Sequence, residues 1–216
     1  MSKIDEISSK SKKIILDKIK NAQIDIEKIP TIDPIEHIKT SQNMLEELKE
    51  KMQANKYIVQ ECSKENLEET INQIVSSYDY KTCIYPSKLD IDIAKINAEK
   101  KTCFDQEVEN LRQELFHSDF SIIQARLGVS SHGVALVTSS KDQPRMLSLA
   151  PMLCIVLLKK ENVVKSLSEA LNLVKKENEI LPSNILFIAG PSRTADIELI
   201  TVFGVHGSQK VHVVFY

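Results

Sequence analysis

The sequence predicts an α/β protein built on a mostly parallel sheet. Three observations carry that reading. Met152 to Leu158 is a continuous apolar run of strand length, the pattern of a central strand covered on both faces. The second half alternates strand-like and helix-like segments, a β-α-β-α-β order that right-handed crossovers turn into parallel strands. All five glycines, Gly128, Gly133, Gly190, Gly204 and Gly207, lie in that half, so tight turns concentrate there.

Taken in order, Ile7, Ile14, Ile15 and Ile19 recur at helical spacing among lysines and predict an amphipathic N-terminal helix. Gln23 to Pro34 holds two prolines and a broken pattern and reads as a linker. Residues 1–33 are therefore taken as helix plus linker, and residues 34–216 as a single α/β domain. Pro34 is suited to open the next helix with Asp33 as its cap, and Ile38, Met44, Leu45 and Leu48 mark its apolar face. Tyr57-Ile58-Val59 reads as a short strand. Ser63 caps a following helix with Leu67, Ile71, Ile74 and Val75 on one face. Thr82 to Tyr85, before Pro86, reads as a strand, and Val108, Leu111 and Leu115 as a helix ending near Phe116. Strands are expected at Phe120 to Gln124, Gly133 to Thr138, Met152 to Leu158 and Ile185 to Ala189, and a last one at Lys210 to Tyr216. Helices are expected at Glu161 to Lys176 and at Ala195 to Phe203.

Composition excludes several functions. The chain has 28 Lys and Arg against 30 Asp and Glu, a formal charge of -2, so it lacks the basic footprint of a nucleic-acid binder. No apolar run reaches the roughly 18 to 20 residues of a membrane span. The N-terminus is polar, without the apolar stretch of a secretory signal, and a cytoplasmic location is expected. Cys62, Cys83, Cys103 and Cys154 contain no close pair, so neither an iron–sulfur cluster nor a structural zinc site is expected on this chain. His37, His117, His132, His206 and His212 form no compact metal pattern either.

The most informative stretch is Gly190-Pro191-Ser192-Arg193-Thr194-Ala195-Asp196-Ile197-Glu198, followed by Gly204-Val205-His206-Gly207. It begins where a strand ends. Gly190 permits a sharp exit, Ser192 or Thr194 can cap a helix, and Arg193 adds positive charge beside the free N–H groups of its first turn. Two readings stay open on local chemistry. One is an anion site made of Gly190, Ser192, Arg193, Thr194, Asp196, Glu198 and His206. The other is a well-capped helix whose acids complement its dipole. No phosphate-cradling glycine loop is present.

The same string, with the terminal strand Val211 to Phe215, resembles the C-terminal signature of the lactate-utilization protein C family, the LUD domain group. Lys13 to Ile19 is similar to that family's opening helix, and Leu153 to Leu173 is similar in layout. The resemblance extends over roughly the last hundred residues. It implies a three-layer α/β/α sandwich similar to the fold of sugar-phosphate isomerases and CoA transferases. It further implies an accessory role in oxidising L-lactate to pyruvate, with iron–sulfur clusters carried by partner subunits, the lactate-utilization proteins A and B. The alternative is an independent enzyme acting on a sugar phosphate or acyl-CoA. One departure stands out. Where family members carry Ala-Glu-Thr-Gly-Thr, this sequence has Ser130-Ser131-His132-Gly133-Val134. Gly133 matches, but Ser131 replaces the carboxylate that could serve as acid, base or nucleophile. Ser131, His132 and Gly133 thus form a second candidate loop.

Overall fold

A computed structural model describes residues 3–22, 41–195, 201–204 and 206–216. The chain divides into two units, Met1–Glu36 and His37–Tyr216. Within the first, α1 (Lys3–Asn21) is the amphipathic helix expected from the isoleucine spacing, with Ile14, Ile15, Leu16 and Ile19 exposed.

The second unit is organised around six strands, all parallel: β1 (Ile58–Glu61), β2 (Thr82–Pro86), β3 (Lys100–Phe104), β4 (Phe120–Gln124), β7 (Leu153–Leu158) and β12 (Lys210–Phe215), in the order β1-β12-β7-β4-β2-β3. Every residue of β7 is buried, as its uninterrupted apolar run requires, and β7 lies inside the sheet between β4 and β12. The edge strands β1 and β3 are largely half-exposed or exposed, which is why they tolerate Gln60, Glu61, Lys100 and Lys101.

Alternation along the strands divides the core. Phe120, Ile122, Leu153, Ile155 and Leu157 face α3 (Leu67–Ser76), whose Leu67, Ile71, Ile74 and Val75 form the apolar stripe read from the sequence. Ile123, Cys154, Val156, Leu158, Val213 and Phe215 face the other way. They pack with Leu48 and Met52 of α2 (Met44–Ala54), Leu115 of α4 (Arg112–His117), and Ala135 and Val137 of a second sheet. Truncating one of these buried branched side chains to alanine should cost about 2–5 kcal/mol.

That second sheet has the order β8-β5-β6-β9, with β5 (Leu127–Val129), β6 (Val134–Thr138), β8 (Val163–Val164) and β9 (Ile185–Ile188). Its far side is covered by α5 (Leu167–Glu177), whose Ser166 cap accepts the Glu169 N–H at 3.1 Å. The three-layer α/β plan is therefore present, with one outer layer made of helices and a small sheet.

Two sequence expectations are corrected, and a third falls partly outside the described residues. A helix is expected from Ala195 to Phe203, but both described ends of that segment are extended, and residues 196–200 lie outside the described residues. β10 (Arg193–Ala195) and β11 (Thr201–Phe203) pair antiparallel, with Arg193 opposite Phe203. The β-branched Thr201 and Val202 and the aromatic Phe203 favour extended backbone. The segment Ile185 to Ile188 does not join the parallel sheet but lies antiparallel to β6. The described part of the first domain helix begins at Met44, where the Asn43 side chain accepts the Glu46 N–H; the expected opening at Pro34 falls outside the described residues.

Candidate functional site

The signature segment leaves β9 through Ala189 and Gly190. Gly190 has φ +83°, and a Cβ there would collide with the Asn55 carbonyl oxygen, so glycine is required by both conformation and contact. Ser192 follows, half-buried. Its N–H donates to Ser208 O at 2.9 Å, and its carbonyl accepts the Gly204 N–H at 2.9 Å. Gly207 packs on the Ser192 side chain: a Cβ at Gly207 would sit 3.1 Å from Ser192 Cβ. These contacts fold residues 204 and 206–208 back onto the strand exit.

The outcome is a cleft of about 230 Å³ that gathers Ser192, His206 and Gly207 with Ser148 and Ser208 over an apolar floor including Leu186 and Ile188. An adjoining hollow of about 450 Å³, lined by Phe116, Met146, Leu149 and Ala150, shares His206 and Gly207 with it. Ser208 Oγ donates to Pro151 O at 2.8 Å and Ser148 Oγ to Arg145 O at 2.7 Å, which fixes two of the three hydroxyls. Arg193 does not line this cleft; its guanidinium donates to Ala189 O at 3.0 Å. Thr194 sits in β10, and Asp196 and Glu198 lie outside the described residues. Arg193–Ala195 is extended, so no helix begins directly after Ser192 to offer a dipole at these residues. What remains is a small cleft that gathers hydroxyl, imidazole and backbone groups.

The second candidate loop lies elsewhere. Ser131, His132 and Gly133 form the turn between β5 and β6, with Gly133 at φ +63°. The end of α2 holds it. Lys51 Nζ donates to Ser131 O at 3.1 Å, and Asn55 Nδ2 donates to the carbonyls of His132 and Gly133 at 2.9 and 3.0 Å. Ser131 Oγ and His132 Nδ1 lie 2.7 Å apart. Behind Lys51, Glu47 is buried. Desolvation alone would raise its pKa, but the Lys51 ammonium at 2.5 Å and the Ser41 N–H outweigh it and hold the carboxyl below its ordinary value. Asn55 thus touches both candidate loops, through its carbonyl beside Gly190 and its amide at the 131–133 turn, without bringing them into one cavity.

A larger cleft, of about 680 Å³, was not singled out by the sequence. It lies at the carboxyl ends of the parallel strands. The chain leaves β2 toward β3 on one side and β4 toward β7 on the other, the divergence at which open α/β sheets form ligand crevices. Lys88, Arg126 and Lys159 enter it from the exits of β2, β4 and β7. Lys88 pairs with Asp142 at 2.7 Å, Lys159 with Asp90 at 2.5 Å, and Arg126 with Glu177. The hydrogen bond from Lys159 holds Asp90 below the usual carboxylate range, and the one from Lys88 does the same to Asp142. The wall is fixed by reciprocal bonds. The Gln124 N–H donates to Gln143 Oε1 at 2.8 Å, Gln143 Nε2 donates to Gln124 O at 2.9 Å, and Tyr216 O–H donates to Gln124 Oε1 at 3.0 Å. The available signal was the polar residue set directly after each apolar strand run.

The LUD domain family model matches residues 45–216. The chain belongs to the LUD domain family. Among curated relatives it is 39% identical over 92 residues to the uncharacterized protein YkgG of Escherichia coli strain K12, covering 41% of this chain and 40% of that one. It is 31% identical over 109 residues to the lactate utilization protein C of Bacillus subtilis strain 168, covering 49% and 45%. To the lactate utilization protein C of Halalkalibacterium halodurans it is 29% identical over 157 residues, covering 69% and 68%. The chain thus spans less than half the length of several curated relatives it matches. A crystal structure of a DUF162 family protein from Deinococcus radiodurans superposes with a TM-score of 0.58 at 15% identity, over 82% of this chain and 99% of that one, a likeness of fold.

Among the described residues, no three His, Cys, Asp or Glu side chains gather as a metal-binding set, and no helix is long and apolar enough to cross a membrane. Cys83 packs in the core on the α3 face of the parallel sheet and Cys154 in the core on the opposite face. The two buried thiols are therefore kept apart by the sheet, and burial pushes Cys154 up to about 12.

Proposed function

We propose that this LUD domain serves in lactate utilization, as an accessory, small-acid-binding component of an iron–sulfur system that oxidises L-lactate to pyruvate. The observation that carries the reading is the cleft formed by Ser192, His206 and Gly207, residues of the very segment that resembles the family signature. The names borne by the Bacillus subtilis and Halalkalibacterium halodurans relatives support the choice of lactate. In this reading the acid's carboxylate and α-oxygen take hydrogen bonds from the Ser192 hydroxyl and the His206 imidazole, while its methyl group rests on the Leu186 and Ile188 floor. The iron–sulfur clusters belong to partner subunits of the A and B type, a reading supported by the lack of any close cysteine pair in the sequence and by the placement of Cys83 and Cys154 on opposite faces of the sheet. The setting is the cytoplasm.

Two measurements test it. Titration of the full chain with L-lactate and with pyruvate, followed by ligand-observed NMR, should give saturable binding that His206→Ala weakens about tenfold, the loss expected for one good hydrogen bond. Anaerobic capture of the tagged chain from its native cells should recover cysteine-rich iron–sulfur proteins. Absence of acid binding removes the small-acid part. Recovery of the chain alone, where control complexes survive, removes the accessory role.

A further inference from the structure

We infer that the cleft at the carboxyl edge of the parallel sheet is a separate binding site, for a phosphorylated polyhydroxy compound. Its position is the one where such sheets place ligands, because every strand ends there and the loops part. Its volume, about 680 Å³, lies within the range of roughly 300–1,000 Å³ typical of small-molecule sites. Lys88, Arg126 and Lys159 come from three different strand exits to line one hollow, which suits a phosphate dianion. Asp90 and Asp142 line it too, and carboxylates beside cations are the acceptors that ligand hydroxyls need. Without ligand these acids hold the lysines in place. The Lys88 side chain is 81% exposed, so its pair with Asp142 contributes little stability and is readily exchanged for a phosphate. Among the described residues no aromatic side chain lines the cleft, so it offers a polyol many hydrogen bonds and a base no stacking platform.

The test is calorimetric titration of the full chain with ribose 5-phosphate, inorganic phosphate, ribose and ADP. Ribose 5-phosphate should bind saturably and at least about tenfold more tightly than inorganic phosphate, with ribose silent. Lys88→Ala and Lys159→Ala should each weaken it about tenfold, and Lys88→Arg should retain it. Circular dichroism confirms that the variants fold. If ADP binds more tightly than ribose 5-phosphate, the assignment is overturned in favour of a nucleotide; the reverse order supports a free sugar phosphate. No saturable binding of either, equal affinity for inorganic phosphate, or unchanged affinity in the Lys88→Ala, Lys159→Ala double variant overturns the inference. His206→Ala should leave this binding intact, which separates it from the small-acid cleft.

Discussion

Replacing His212 with glutamine should flatten the acid limb of this protein's stability. His212 lies in β12 between Ile58 of β1 and Ile155 of β7 and is only 3% exposed. Tyr78 O–H donates to its Nε2 at 2.8 Å, and its Nδ1 donates to Gln60 Oε1 at 3.1 Å, the pattern of a neutral ring. Burial, and secondly the charge of Lys210, push its pKa down to about 4. Lys210 sits over the Tyr78 ring, 4.0 Å from its centre, and Tyr80 stacks on the same ring. In the unfolded chain the ring titrates near 6.5, so between these values only the unfolded state binds the proton. The contribution is fully present above about pH 6.5 and is lost as the pH falls toward about 4, reaching about 3 kcal/mol. Between about pH 7 and pH 5 the loss should be about 2 kcal/mol. The chain has no tryptophan, so urea unfolding is best followed by far-ultraviolet circular dichroism. His212→Gln removes this titration and leaves the other groups common to both proteins. The wild type should lose about 2 kcal/mol more than the variant over that pH step. An identical pH dependence in the two proteins would refute the reasoning, as would a His212 ring resonance titrating near 6.5 by NMR.

Other positions give sharper single outcomes. Gly133→Ala places a side chain at φ +63° and a Cβ 2.5 Å from the Lys51 backbone, and should cost about 2–4 kcal/mol in urea unfolding by opening the turn from α2. Asp119 is desolvated, which alone would raise its pKa. The N–H groups of Lys81 and Thr82 and the Thr82 hydroxyl, at 2.8–2.9 Å, outweigh that and hold it low. Its contribution is therefore present above the ordinary carboxylate range and lost as pH falls through the depressed value. Asp119→Ala should cost about 2–3 kcal/mol near neutrality and show a shallower acid loss than the wild type. Ser166→Ala removes the α5 cap and should lower stability by about 1 kcal/mol, with faster amide exchange confined to the first turn of that helix.

How far these features could be read in advance depended on burial. β7 was legible because all six of its residues are inside, so nothing interrupts the apolar run. The stripe of α3 was legible for the complementary reason, one buried face against solvent. β3 was missed because an edge strand has no need to look apolar: Lys100 is exposed, and Lys101 bonds to the carbonyls of Ile93 and Ala94. β5 and β8, of three and two residues, are too short for any period to register. At β10 and β11 the acids Asp196 and Glu198 imitate a helix's first turn, while Thr201, Val202 and Phe203 carry the stronger extended preference that sets the observed pairing.

The sites divide along the same line. Gly190 was legible as a strand exit, and the structure adds that Asn55, far away in sequence, forbids any other residue there. That Ser148, Ser192 and Ser208 share a cleft follows only from the fold, since no local pattern links them. The carboxyl-edge cleft is a more instructive omission. Strand order was hidden, because β12 inserts between β1 and β7 from the end of the chain. Yet in an all-parallel sheet every strand delivers its following residues to the same edge, whatever the order. Lys88, Arg126 and Lys159 each follow an apolar strand within two residues, so once parallel pairing is accepted, their sharing an edge is already implied. Order then decides only which of them are close, and β4, lying between β2 and β7, brings these three to one cleft.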